Sequence, residues 1–345
     1  MIRRLIPRFL AGFAAALALA TGAAAKPLVV ILADPRGVEA VDLLTPYAIL
    51  AESGAVDVKV IAPTAEPVRL RPAMAWAAPQ TTFAKLAQER PQGPDVVLVP
   101  ALKVDDDPAR NAWLQAQARG GARIMSICNG AKVLAAAGLL DGRQATIHWF
   151  SQSRMARKYP EVTWRRDLRW VSDGPVTTTA GISASEPASL QLLRELAGEA
   201  VMLQTARRMG LSPPDQRHDG DDFRLTLKGM GLVVANKLTF WRHEDVGVPL
   251  ASGMDELALG VALDGWSRTY RSLAWTAGPA SAVSRHGLII YRSQEPPERF
   301  DRQVALPGKN VDLAVFQQIR KAYGEPTARF VALQFEHPWG AVSAW

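Results

Sequence analysis

Residues 28 to 32 read Leu-Val-Val-Ile-Leu, five apolar positions in a row. So short a run without polar alternation predicts a strand buried on both faces, as in a parallel sheet. Glu39 to Ser53 then carries apolar residues at helical spacing, and Val56 to Ala62 predicts a second strand. Asp95 to Pro100 predicts a third strand, and Pro108 to Arg119 a helix stopped by Gly120-Gly121. Arg123 to Ile127 predicts a fourth strand. Cys128-Asn129-Gly130 follows it without a spacer and leads into an alanine-rich helix, Ala131 to Ala137, closed by Gly138. Pro175 to Thr179 predicts another strand, and Ser185 to Met209 one long helix with an apolar face.

Strands alternating with helices place this part of the chain in the α/β class, with an open parallel sheet covered by helices on both faces in a flavodoxin-like layout. Ligands on such sheets bind at the carboxyl ends of the strands, and Cys128 lies at one. Gly210 to Gly220 is rich in Pro, Gly and polar residues, which marks a linker over 211–222 between a domain at 26–210 and a smaller α+β domain at 223–345. In that second part Gly231 to Val234, Leu288 to Tyr291 and Phe330 to Phe335 predict strands, and Asp255 to Trp266 and Val311 to Tyr323 predict helices. The chain also repeats itself faintly. Gly37 to Leu50 can be laid on Gly253 to Trp266, and Pro63 then falls on Pro279. A decayed half-repeat and a chance similarity of two helix–strand units both explain this.

The first 25 residues have a pattern of their own. Arg3, Arg4 and Arg8 precede an apolar run from Phe9 to Ala20, and Ala23-Ala24-Ala25 offers the small residues a signal peptidase reads. This predicts a secretory signal peptide cleaved after Ala25, a periplasmic or secreted protein, and no stable membrane anchor once the leader is gone. Composition changes little in this picture: 48% hydrophobic and 21% charged residues describe an ordinary globular chain. The formal charge of +7 includes the three leader arginines, and no basic run with interleaved aromatics occurs, so no nucleic-acid partner is expected. No metal or other cofactor is expected either. No Lys-Ser/Thr follows Gly120-Gly121, and His218 and His243 lack spaced ligand sets.

The chemistry centres on the single cysteine. A strand running straight into Cys-Asn-Gly and a helix makes a sharp nucleophile elbow, which exposes the side chain above the sheet at a helix N-terminus. Helix amides there favour a thiolate, the reactive form. Gly130 permits close backbone approach. His148 could take or pass a proton. Asp42, in the first helix, starts from the same sheet edge and would tend to keep its proton beside a thiolate.

Ser126 to Trp149, with its Cys128-to-His148 spacing, together with Asp42-Leu-Leu-Thr-Pro46 and Thr179-Ala-Gly-Ile-Ser183, resembles the ThiJ/PfpI superfamily, also described as class I glutamine amidotransferase-like. The resemblance spans roughly 26 to 215. It leans to the branch of isonitrile hydratases and the sensor domains of AraC-type regulators. It implies catalytic roles for Cys128, Asp42 and His148, and a substrate or oxyanion site at Asn129, Gly130 and Ala101. Two positions depart from the pattern. Pro100-Ala101-Leu102 stands where the family has Pro-Gly-Gly, and Asn129 stands where isonitrile hydratases carry a hydroxyl. Both count against acyl or hydratase chemistry.

Two functions follow. One is a cysteine-dependent hydrolase or lyase acting on a small electrophile such as an aldehyde, amide or nitrile-like compound. The other is a non-catalytic ligand-binding or redox-sensing module derived from an AraC-type sensor domain. A small molecule is the expected partner in both, and a homodimer is left open.

Overall fold

The computed structural model describes residues 25–344. Of the expected signal peptide only Ala25 falls among them, and the rest lies outside the described residues. No helix among those described is long and apolar enough to cross a membrane.

The first part of the chain runs β1 (Leu28–Leu32), α1 (Ala40–Ser53), β2 (Asp57–Ala62), a hairpin of β3 (Val68–Arg71) and β4 (Ala75–Ala77), β5 (Val96–Val99), β6 (Arg123–Ser126), α2 (Ala131–Ala136), β7 (Trp170–Asp173), β8 (Val176–Thr179) and α3 (Ser185–Ala197). Its sheet has the order β7-β8-β6-β5-β1-β2, with Thr81–Thr82 at the far edge. Every neighbour pair is parallel except β7 with β8. All residues of β1 and β5 are buried, as the unbroken apolar runs require of strands covered on both faces. The expected α/β architecture is therefore present. The helix expected over 185–209 is two helices, because Gly198 takes φ 90° and separates Ser185–Ala197 from Glu199–Met209.

The second part contains α4 (Leu227–Leu238), β9 (Glu244–Pro249), α5 (Glu256–Ser267), β10 (Ser272–Ala277), a hairpin of β11 (Ser281–Val283) and β12 (Ile289–Arg292), β13 (Arg302–Gln303), α6 (Val311–Tyr323) and α7 (Glu325–Phe335). Two predicted strands here are helical. Gly231 to Val234 lies inside α4, whose N-cap Thr226 accepts the Gly229 N–H through its side chain. Phe330 to Phe335 closes α7, which has Pro326 in its first turn. A four- to six-residue apolar run does not distinguish a strand from a buried helix face, and the helix-start residues upstream, a cap in one case and a first-turn proline in the other, decided.

The two parts share one core. α5 lies on α1, and every residue from Glu256 to Trp266 and from Ala40 to Leu50 is buried. β12 pairs antiparallel with β4, so one sheet of order β11-β12-β4-β3, ending on Val38–Glu39, draws strands from both parts. The segment 211–222 also packs. The His218 side chain is buried and stacks on Phe223, ring centroids 5.4 Å apart, instead of projecting from a solvated loop.

Candidate functional site

Cys128 sits immediately beyond β6 with φ 54°, a left-handed conformation for a residue with a Cβ. Such a conformation costs on the order of 1–3 kcal/mol and persists where the surroundings over-determine it. The restraints are visible. The Ile127 N–H donates to the Val99 carbonyl at 2.9 Å, and the Gly130 N–H to the Ile127 carbonyl at 2.8 Å. The Cys128 N–H donates to Thr179 Oγ1 at 3.0 Å, from the end of the neighbouring β8. A Cβ at Gly130 would run into the Val99 carbonyl, so only glycine fits the turn.

The elbow does not expose its side chain. Cys128 is 2% accessible. Burial pushes the thiol well above its ordinary value, Asp42 and Glu39 add to the effect, and Arg268 opposes it. This runs against the thiolate anticipated from the helix N-terminus. α2 has six residues and follows a single 3₁₀ turn, so its dipole is small beside the cost of desolvating an anion.

Asp42 is fully buried. Its Oδ2 accepts the Ala101 N–H at 3.0 Å, while Oδ1 has no partner. Burial first, and Glu39 second, raise its pKa well above the carboxylate range, so a carboxylic acid stands near a thiol. Glu39 caps the start of α1 and pairs with Arg268 at 2.5 Å, and Arg268 reaches Asp264 at 2.6 Å. Burial works against the Arg268 charge, but Asp264 and Glu39 outweigh it and raise the pKa.

His148 caps the helix Trp149–Lys158, and both ring nitrogens are engaged. Nδ1 accepts the Phe150 N–H at 3.2 Å, and Nε2 lies 2.8 Å from the Gln334 carbonyl. An N–H can only donate and a carbonyl can only accept, so the ring is the neutral Nε2–H tautomer. Burial lowers its pKa, against an opposing pull from Glu336.

A cavity of about 400 Å³ joins these groups. Cys128, Ala101, Asn129 and His148 line it, with Asn129 Oδ1 buried and unpartnered. Gly130 and Asp42 stand behind this wall. The opposite side comes from the second part of the chain: Lys237, Arg268, Tyr270, Phe330 and Gln334. Lys237 Nζ stands 4.6 Å from the Tyr270 ring centroid. Glu336 ties the two sides together by accepting the Trp149 N–H at 2.9 Å and the Gly181 N–H. Sequence reasoning missed all of these. Glu39 alone carried a signal, one helical turn before Asp42 at a helix start; the others lie far along the chain and match no motif. Among the described residues no group of His, Cys, Asp and Glu is arranged to hold a metal ion.

The sequence profile of the DJ-1/PfpI family matches residues 27–195, which spans the sheet and the elbow. An isonitrile hydratase of Pseudomonas putida is 30% identical over 183 residues, 51% of this chain and 76% of that protein. The chain belongs to the DJ-1/PfpI family. Within it, the HTH-type transcriptional regulator CdhR of Pseudomonas aeruginosa is 36% identical over 113 residues, 32% of this chain. The match spans about a third of that regulator's length, 33%. DJ-1beta of Drosophila melanogaster superposes with a TM-score of 0.48 at 23% identity, over 55% of this chain and all of that one. The expectation of no nucleic-acid partner is corrected by the relatives this chain resembles, several of which are HTH-type transcriptional regulators. Charge pattern and a leader are not grounds for excluding one.

Proposed function

We propose that this DJ-1/PfpI chain binds a small, largely apolar molecule in the cavity around Cys128, as a ligand-sensing module and not a turnover site. One observation carries the reading: three of the amides around the thiol that an acyl or hydratase reaction would draw on are already bonded within the protein. The Ala101 N–H goes to Asp42, the Cys128 N–H to Thr179 and the Gly130 N–H to Ile127. Oxyanion stabilisation needs such donors free and aimed at the reacting oxygen. His148, with both nitrogens bonded, has no free position from which to accept a proton. A buried, protonated thiol is also a poor redox sensor, since oxidation follows thiolate character and exposure. The regulator relatives support a sensing lineage.

A second reading rests on Asp42. A protonated acid with an unpartnered Oδ1 near a thiol could donate a proton to a small electrophile, as a cysteine-dependent hydratase would require. The isonitrile hydratase relative favours this.

The two readings separate in one experiment. Wild type and Cys128→Ser are incubated with a panel of isonitriles, aldehydes and primary amides, with tryptophan fluorescence and product formation followed together. Ligand sensing expects saturable quenching, through Trp149 at the cavity, with no turnover. Product formed by wild type and lost in Cys128→Ser would replace it with the hydratase reading. Export after cleavage at Ala25 stands as a proposal beside either one, and N-terminal sequencing of protein recovered from the producing cells tests it. An intact Met1 would end it.

A further inference from the structure

The second part of the chain repeats the element order of the first. β1, α1, β2, the β3–β4 hairpin, β5 and the helix Pro108–Arg119 have counterparts in β9, α5, β10, the β11–β12 hairpin, β13 and α6. One displacement along the sequence carries Leu28 to Glu244, Ala40 to Glu256 and Leu44 to Gly260. A displacement one residue shorter carries Asp57 to Ser272 and Trp76 to Tyr291. Pairing agrees. Leu28 lies opposite Asp57 in the parallel β1–β2 pair, and their counterparts Glu244 and Ser272 lie opposite each other in β9–β10. β5 takes the free side of β1, and β13 takes the free side of β9.

The two copies meet about a local two-fold axis. Trp76 pairs directly with Tyr291, its own counterpart, while Ala75 pairs with Arg292 and Ala77 with Ile290. That exchange of neighbours is the signature of an isologous contact. The helices repeat it, since Gly260 of α5 lies against Leu44 of α1, again its own counterpart. The axis brings the end of α5 to the start of α1, where Arg268 meets Glu39.

The copies diverge at the elbow. In the first, the helix Pro108–Arg119 leads to β6 and Cys128. In the second, α6 leads to α7, whose Phe330 and Gln334 line the Cys128 cavity. We infer that the second part of the chain is a degenerate copy of the first that occupies, within one chain, the place of a symmetric partner subunit. It has no elbow of its own and completes the single thiol cavity, with Arg268 as a positioning residue for Cys128. Arg268 acts through Glu39 and Asp264, and faces Asp42 and Cys128 from α5. From the other elements, His148 and Glu336 face the same thiol. The inference does not depend on whether Cys128 binds or turns over its ligand.

Two measurements on the full chain test it. In a Cys128→Ser background, Trp76→Cys and Tyr291→Cys place two thiols directly opposite each other across β4–β12, within the Cα separation a disulfide spans. Mild oxidation is expected to give a bond within one chain, seen as a reducible mobility shift of the monomer. Disulfide-linked dimers, or two freely alkylated thiols, would overturn the arrangement. For Arg268, the pH profile of Cys128 alkylation is compared in wild type, Arg268→Lys and Arg268→Met. Loss of the cation is expected to slow alkylation about tenfold at pH 9, one unit of thiol pKa, with the Lys variant following wild type. Should Arg268→Met not fold, Arg268→Gln keeps hydrogen bonds to Glu39 and Asp264 and serves instead. A folded charge-free variant reacting at the wild-type rate would end the positioning role.

Discussion

The Ala101 N–H donates to Asp42 Oδ2 at 3.0 Å, and that bond decides how the elbow can be used. It ties the loop after β5 to α1 beside Cys128 and consumes the Ala101 amide. It also accounts for only one oxygen of a fully buried carboxyl, so the acid form is retained beside the sulfur. A polar pair was expected here. What the bond builds is a buried wall in which the carboxyl keeps its proton.

Cys128 should therefore be sluggish. Iodoacetamide should alkylate the native protein at pH 7 at least about tenfold more slowly than it alkylates free cysteine, because both the thiolate fraction and access are low. The rate should recover in denaturant. Alkylation of the folded chain at the free-cysteine rate would show that the thiol is neither buried nor raised.

The His148 tautomer gives a spectroscopic prediction. Its ring should show a protonated Nε2 and a bare Nδ1 by ¹⁵N NMR, unchanged from pH 8 to pH 6. Burial lowers its folded pKa, so the stability it contributes is present above its ordinary 6.5 and is lost as pH falls below that value. A ring that protonates at 6.5 in the folded protein contradicts the two backbone contacts.

Glu186 works in the opposite sense. It opens α3 beside Asp312, and burial, then Asp312, push it up to about 7, against Arg169. A raised carboxyl contributes its stability below the ordinary 4.5 and loses it as pH rises through about 7. Glu186→Gln should thus raise stability at pH 8 by about 3 kcal/mol and change it little at pH 4. Urea denaturation at the two pH values is the check, and an equal effect at both would remove the titration as its cause.

Gly260 tests the packing of the two copies. Its Cβ position lies 3.2 Å from Leu44 Cβ and 3.4 Å from the Ala40 carbonyl. Gly260→Leu, which restores the identity of its counterpart, should destabilise the chain by about 2 kcal/mol through overpacking. Gly260→Ala should cost less, since helix propensity returns about 1 kcal/mol. Denaturant midpoints of the two variants should keep that order.

Much of the fold was legible in local pattern. Leu28 to Leu32 and Val96 to Val99 have no polar side to show to water, so they had to be central strands. Gly130 was expected to allow close backbone approach after that cysteine, and the Val99 carbonyl takes up the space a Cβ would need. Asp42, Cys128 and His148 were legible as a set only through the resemblance to the ThiJ/PfpI signature. Local pattern failed at Gly231 to Val234 and Phe330 to Phe335, where a short apolar run satisfies a strand or a helix equally and the helix-start signals upstream, the Thr226 cap and Pro326 in a first turn, decided.

The sequence by itself determined a parallel sheet and an elbow carrying one cysteine. It also held a faint repeat whose meaning it could not fix. Only the tertiary structure decided what surrounds the sulfur. Protonation and access depend on groups brought together in space, and Arg268 and Gln334 reach the cavity from more than a third of the chain away. The elbow sets where the thiol is. The second part of the chain, folded over it, sets what the thiol can do, since burial among its side chains costs an anion more than one short helix returns.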